Sequence, residues 1–321
     1  MSTPSPGTEP ISVSIRPMQE ADLVEARRIF RMAFGTFLGV PDPESFAADR
    51  EYIFTRWRAN PEAALVAEVN GTVAGSNFAT NWGSFGFFGP LTVRPDLWNQ
   101  HIAQKLLGPT MDLYAQWGVR EAGLYTFAQS PKHIGLYQKF GFWPRFLTAI
   151  MSKGVIGRET SSIKYSALNE GERDQALRAC RELTGSIYDG LNVTCEIRMV
   201  KDQNLGETVL LWGGDRLDAF AVCHGGEGSE AGRNNCYVKV AAVRPGPGAE
   251  DRFEHLLDAG EALATERGWQ RIVAGVNLAR SQAYRQLLRR GFRTDIQGVA
   301  MQKPDSPAYN RPDVFVLDDW R

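Results

Sequence analysis

Residues 93–107 read VRPDLWNQHIAQKLL, a strand running into a helix. The N-terminus of a helix carries unpaired backbone N–H groups and the positive end of the helix dipole, so such a turn suits a phosphate. The glycines that would let a phosphate settle there are absent. Trp98, Asn99, Gln100, His101, Ile102 and Ala103 occupy the turn instead. Further on, Tyr137 lies four residues before Gly141 in LYQKFGF. A phenol titrates near about 10, so it is protonated at neutral pH and can donate to a leaving group. The four cysteines (Cys180, Cys195, Cys223, Cys236) contain no C-x-x-C pair and the four histidines are scattered. No zinc site and no metal catalysis are expected from that spacing.

The elements that must position these residues belong to a globular chain. Its 321 residues suit two domains of roughly 150 residues each, and 43% hydrophobic with 23% charged residues is the balance of a folded protein. A net charge of −1 offers no general basic field, so neither nucleic acid nor an anionic membrane is an expected partner. No apolar run approaches the roughly 18 residues of a membrane span. Residues 1–10 read as a polar leader without a signal pattern. Reduced thiols point to a cytoplasmic setting.

Along the chain, a strand from Ile11 precedes helical stretches over Glu20 to Phe37 and Pro43 to Arg58, separated at Pro41 and Pro43. Two strands flank Asn70-Gly71, a hairpin signal. The strand FGFFGPLTV ends at Pro95, and a helix from Asn99 to Trp117 is closed by Gly118. A strand, a short helix from Pro131 and a last strand finish the first half. Residues 154–162 read as a linker between domains at 11–153 and 163–321. The same order then returns. VRP at 93–95 and 243–245, and GF at 141–142 and 291–292, share one offset, the mark of a tandem repeat. RPDVFVLDDWR closes the chain as a further strand.

This order, with V-x-P before one helix and Y-x-x-x-G-F after a later strand, resembles the GNAT superfamily of N-acetyltransferases over nearly the whole chain. The resemblance is closer in the first copy than in the second. It implies an α/β (α+β) fold of two tandem GNAT-like domains, each a mixed, mostly antiparallel twisted sheet flanked by helices, plus a C-terminal strand. It also implies acetyl-CoA as co-substrate, its pantetheine between two splayed parallel strands and its pyrophosphate on the turn at 98–103. Trp98 and His101 depart from the family's basic or amide residue and its central glycine. Two readings of His101 follow. Either its backbone N–H still faces phosphate with the ring outward, or the ring fills the ligand's space. Trp98 reads more readily as an anchor of the turn than as a ligand contact. In the second copy Glu250 and Asp251 set carboxylates where phosphate would lie, and Leu287 stands at the position of Tyr137. That copy is not expected to bind CoA.

Within this resemblance Tyr137 is the acid for the leaving thiolate, with core packing as its alternative. Backbone amides near Leu91 and Val93 polarise the thioester carbonyl. Ser130 either bonds the pantetheine amide or caps the helix at Pro131. Lys132 contacts a CoA phosphate or is simply solvated. The strand before the turn carries no carboxylate, so the proton acceptor is unassigned: a water, Glu44, Asp318 or Asp319. Phe34, Phe37, Trp82, Phe85, Phe87, Phe88, Tyr125 and Phe127 would line an acceptor groove or fill the core, about half doing each. The expected partner is a small, partly apolar amine acceptor, and a homodimer is left open. The competing reading is a non-catalytic protein that binds CoA or a small ligand.

Overall fold

A computed structural model describes residues 12–157, 160 and 162–321. The expected leader and residues 158, 159 and 161 of the expected linker lie outside the described residues. In the first half the order is β1 (Val13–Pro17), α1 (Leu23–Phe37), α2 (Ile53–Ala59), β2 (Ala64–Val69), β3 (Thr72–Trp82), β4 (Phe85–Phe88), β5 (Thr92–Val93), α3 (Ile102–Gln116), β6 (Glu121–Thr126), α4 (Pro131–Gln138) and β7 (Trp143–Gly154). The second half gives β8 (Ile163–Lys164), α5 (Glu170–Ile187), α6 (Thr194–Asp202), β9 (Gly206–Gly213), β10 (Arg216–Gly226), β11 (Gly232–Val243), α7 (Ala249–Glu266), β12 (Arg271–Asn277), α8 (Ser281–Arg289), β13 (Arg293–Lys303) and β14 (Val316–Leu317).

Local chemistry explains most boundaries. Asn70 and Gly71 both take positive φ, which a two-residue turn matching strand twist requires. Asn169 and Glu172 cap each other's backbone at the start of α5. The helix expected over Pro43 to Arg58 is confined to α2, with one 3₁₀ turn at Pro43–Ser45. Ala47 at φ 49° breaks it, and Phe46 turns inward against Phe30 and Phe34. The helix expected from Asn99 begins at Ile102, because Asn99 and His101 are left-handed at φ 69° and 60°. α6 has no counterpart among the elements expected from the sequence.

The strands form a single sheet in the order β1-β2-β3-β4-β6-β13-β7-β12-β11-β10-β9-β8, with β5 on β3 and β14 on β11. Its centre is an exchange. β13 from the second half lies between β6 and β7 of the first, pairing Val299 with Thr126 and Gln302 with Trp143. β7 in turn pairs with β12 of the second half, Thr148 with Asn277 through Gly154 with Arg271. The sheet is mixed and mostly antiparallel; β4–β6 and β11–β12 are its parallel pairs. The halves also share a core, in which Trp82, Phe85 and Phe87 pack with Leu183, Ile197, Phe220 and Trp320.

Candidate active site

β4 and β6 run parallel only from Phe85–Glu121 to Phe87–Gly123. Pro90 carries no N–H to continue a ladder, and the chain then turns onto β3 as β5, pairing Thr92 with Ser76 and Val93 with Gly75. β6 instead continues along β13. A cavity of about 1030 Å³ opens at this divergence. The Arg94 N–H donates to Ala74 O on β3. Antiparallel alternation therefore turns the N–H groups of Leu91 and Val93 away from β3, toward the cavity both residues line.

One end of the cavity is the turn before α3. Trp98, Asn99, His101, Ile102 and Ala103 line it; Gln100 does not. His101 is exposed and takes φ 60°, ψ 13°. Its backbone adopts the left-handed conformation that glycine takes freely. Left-handed residues at 99 and 101 bracket Gln100, and such alternation turns successive N–H groups into an anion-binding concavity. Trp98 donates its indole N–H to Val93 O at 2.8 Å, locking the turn to β5. The Lys132 ammonium sits 5.5 Å from the Trp98 ring centroid. Ser130 caps α4, accepting the His133 N–H at 3.4 Å, and is not part of the cavity lining.

Along the cavity, Tyr137 is 8% exposed and packs on Phe88 with centroids 5.8 Å apart. Burial pushes its phenol up, partly offset by a hydrogen bond with Thr126, so it stays protonated. Of the eight aromatics singled out in the sequence, Phe34, Phe37, Phe88, Tyr125 and Phe127 line the cavity; Trp82, Phe85 and Phe87 lie in the shared core. Phe30, Phe46, Tyr52, Asp49, Arg50, Trp320 and Arg321 complete a wall that the sequence reading missed. Phe30 shares the helical spacing of Phe34 and Phe37 on α1, a signal that could have found it. Trp320 and Arg321 arrive through tertiary structure alone.

The three carboxylates considered as proton acceptors do not line the cavity. Glu44 pairs with Arg28 at 3.2 Å. Asp318 is held by Arg280 at 2.6 Å and by Tyr309 at 2.9 Å. Asp319 accepts from Tyr237 at 3.0 Å. Behind the cavity, Arg56 binds Glu230 at 2.7 Å, Gly89 O at 2.6 Å and Arg321 O at 2.6 Å, and Lys239 binds Glu230 at 2.9 Å. Burial alone would raise the Glu230 carboxyl; Arg56 and Lys239 outweigh it and hold it well below the usual carboxylate range. Arg56 thereby ties the end of β4 to the second half.

The equivalent divergence in the second half is filled. β11 and β12 pair from Asn235–Arg271 to Val238–Ala274 and then separate. β14 enters the gap, pairing Val316 and Leu317 with Ala242 and Ala241, while Phe315 O accepts the Val243 N–H. α7 begins with Glu250 and Asp251 in its first turn, and Leu287 is fully buried.

Diverging parallel strands thus open onto a cavity bordered by the turn before α3 and by the protonated phenol of Tyr137. Residues 25–142 match the family model described as the acetyltransferase (GNAT) family. Over its full length the chain has the fold of a candidate acetyltransferase from Pyrococcus horikoshii, with TM-score 0.68, 12% identity, and coverage of 99% of this chain and 98% of that one. A GCN5-related N-acetyltransferase from Sphaerobacter thermophilus follows at TM-score 0.60 and 16% identity, covering 91% and 95%. No curated protein sequence matches the chain.

Proposed function

We propose that the protein transfers an acetyl group from acetyl-CoA to the amine of a small, partly apolar acceptor, in the cavity of the first half. The observation that carries this reading is the turn at 98–103. Its left-handed residues present backbone N–H groups without glycine, at one end of a cavity large enough for a nucleotide-tailed thioester and a second substrate. Pantetheine would lie along the Leu91 and Val93 amides, which would hydrogen-bond the thioester carbonyl as negative charge grows on it. Tyr137 would protonate the departing thiolate. Lys132 would face a phosphate, and the aromatic wall would take the acceptor's apolar part. The second half would serve as scaffold, its own cleft closed by β14.

Calorimetric titration with acetyl-CoA tests this directly. One site per chain is expected. His101→Glu sets a carboxylate beside the phosphate turn and should weaken binding at least tenfold, whereas Glu250→Lys leaves it unchanged. Tyr137→Phe should keep the affinity and lower turnover by about a hundredfold. Absence of binding in the wild type, or loss of binding on Glu250→Lys, would refute the assignment.

A further inference from the structure

The cavity holds a second titratable side chain on the helix of Tyr137. His133 lies one turn earlier on α4, so both project from one face, about 6 Å apart along the axis. Both line the cavity. The imidazole is set against Phe37, with centroids 4.8 Å apart, and Phe127 at 6.3 Å. Neither ring nitrogen has a hydrogen-bond partner among the described residues, and Nδ1 is buried. An unpartnered imidazole in an aromatic wall costs stability, and nothing in the packing there requires a polar ring.

We propose that His133 is the base that takes the proton from the attacking amine, opposite Tyr137 as the acid. The proposal rests on the acetyl-transfer reading. The amine nitrogen bonds to the thioester carbonyl carbon and passes one proton to the free imidazole nitrogen. The C–S bond then breaks, and the thiolate takes the Tyr137 proton. The proton on His133 returns to Tyr137 through water, leaving amide and free thiol with both side chains restored. Acid and base one helical turn apart bracket the sulfur and nitrogen that share the carbonyl carbon.

The surroundings of the ring suit a base. Phe37 from α1 and Phe127 beyond β6 do not titrate. The Ser130 hydroxyl bonds the His133 backbone rather than its ring. Burial and then the adjacent Lys132 ammonium push the imidazole below its ordinary value, and no carboxylate opposes them. His133 is therefore neutral at pH 7.

The test is thiol release from acetyl-CoA with 2-phenylethylamine as acceptor between pH 5 and 9, for wild type, His133→Gln and Tyr137→Phe, with acetyl-CoA affinity measured on each. An alkylamine titrates near about 10, so log kcat/KM rises one unit per pH unit across this range from the acceptor alone. In the wild type the slope should steepen to two below the ionisation of His133. His133→Gln should keep its acetyl-CoA affinity and melting temperature, lose the steep limb, and fall about a hundredfold in kcat. Equal kcat in wild type and His133→Gln, or an unchanged pH profile, would overturn the assignment. So would a wild type that binds acetyl-CoA but releases no thiol to amine or water. Failure to bind acetyl-CoA would instead overturn the transfer reading itself, and the proposal with it.

Discussion

His101 stands at φ 60°, where glycine sits without cost and histidine and asparagine are among the better-tolerated side chains. Asn99 and His101 thus hold left-handed conformations that glycine would adopt at lower cost. His224 shows a different kind of cost. It is fully buried on β10 near Glu230, Lys239 and Arg56, with neither ring nitrogen hydrogen-bonded. Burial lowers its ionisation to about 4, helped by Lys239 and Arg56 against the opposing pull of Glu230. Between pH 6.5 and 4 the unfolded chain therefore binds a proton here that the native protein refuses. Stability must fall as pH drops through that window, by about 3 kcal/mol from this residue. Glu230, with its carboxyl held low, adds a further loss below about pH 4.3. Denaturant midpoints measured from pH 7 to 4 should decline steeply in the wild type and more shallowly in His224→Gln, by about one proton. Parallel curves would show that His224 titrates normally in the native state.

At the scale of elements, the decisive one is a strand of two residues. β14 fills the second cleft, Asp319 lies against Gly275 of β12, and Trp320 lies against Gly123 of β6 and packs on Phe85. A Cβ at Gly275 would come within 2.3 Å of Asp319 Cβ, too close for any rotamer to relieve. Gly275→Ala should destabilise the protein by about 1–3 kcal/mol through overpacking. It should also weaken acetyl-CoA binding in the first half, because the displaced chain runs straight into Trp320 and Arg321 of the cavity wall. Gly154→Ala, where a Cβ meets nothing within 4 Å, serves as control and should change neither. Unaltered binding in Gly275→Ala would separate β14 from the cavity. Elements like these divide what could be read beforehand from what could not. Asn70-Gly71, Gly118 and the repeated VRP and GF landmarks are local signals, so the element order and the repeat were legible. The exact start of α3 was not, since it depends on the conformations of two non-glycine residues. Nor were the contributions of Trp320, Arg321 and Asp49, whose place in the cavity wall is set by tertiary pairing. Period-two alternation identifies a strand and its faces but never its partner.

At the scale of the molecule, that last gap becomes the architecture. Residues 11–153 read as a self-sufficient domain, yet β7 finds both its partners, β12 and β13, in the other half. Cut after residue 157, the first half would leave β6 and β7 with open edges, a template for aggregation. It would also uncover Trp82, Phe85 and Phe87, which are no more than 1% exposed in the whole chain. Arg56 would lose Glu230, and its bond to Gly89 O would no longer be braced from behind. Residues 1–157 alone should therefore be insoluble or form soluble aggregates. Co-expressed with residues 158–321 they should assemble a one-to-one complex, in which the exchanged strands re-form across two chains. Size-exclusion chromatography with light scattering separates these outcomes, and acetyl-CoA titration should find a site in the complex only. A soluble, monomeric first half that binds acetyl-CoA unaided would mean that β13 and the shared core are dispensable to the cavity. The second half would then be an independent domain, and the cavity would owe nothing to Trp320 or Arg321.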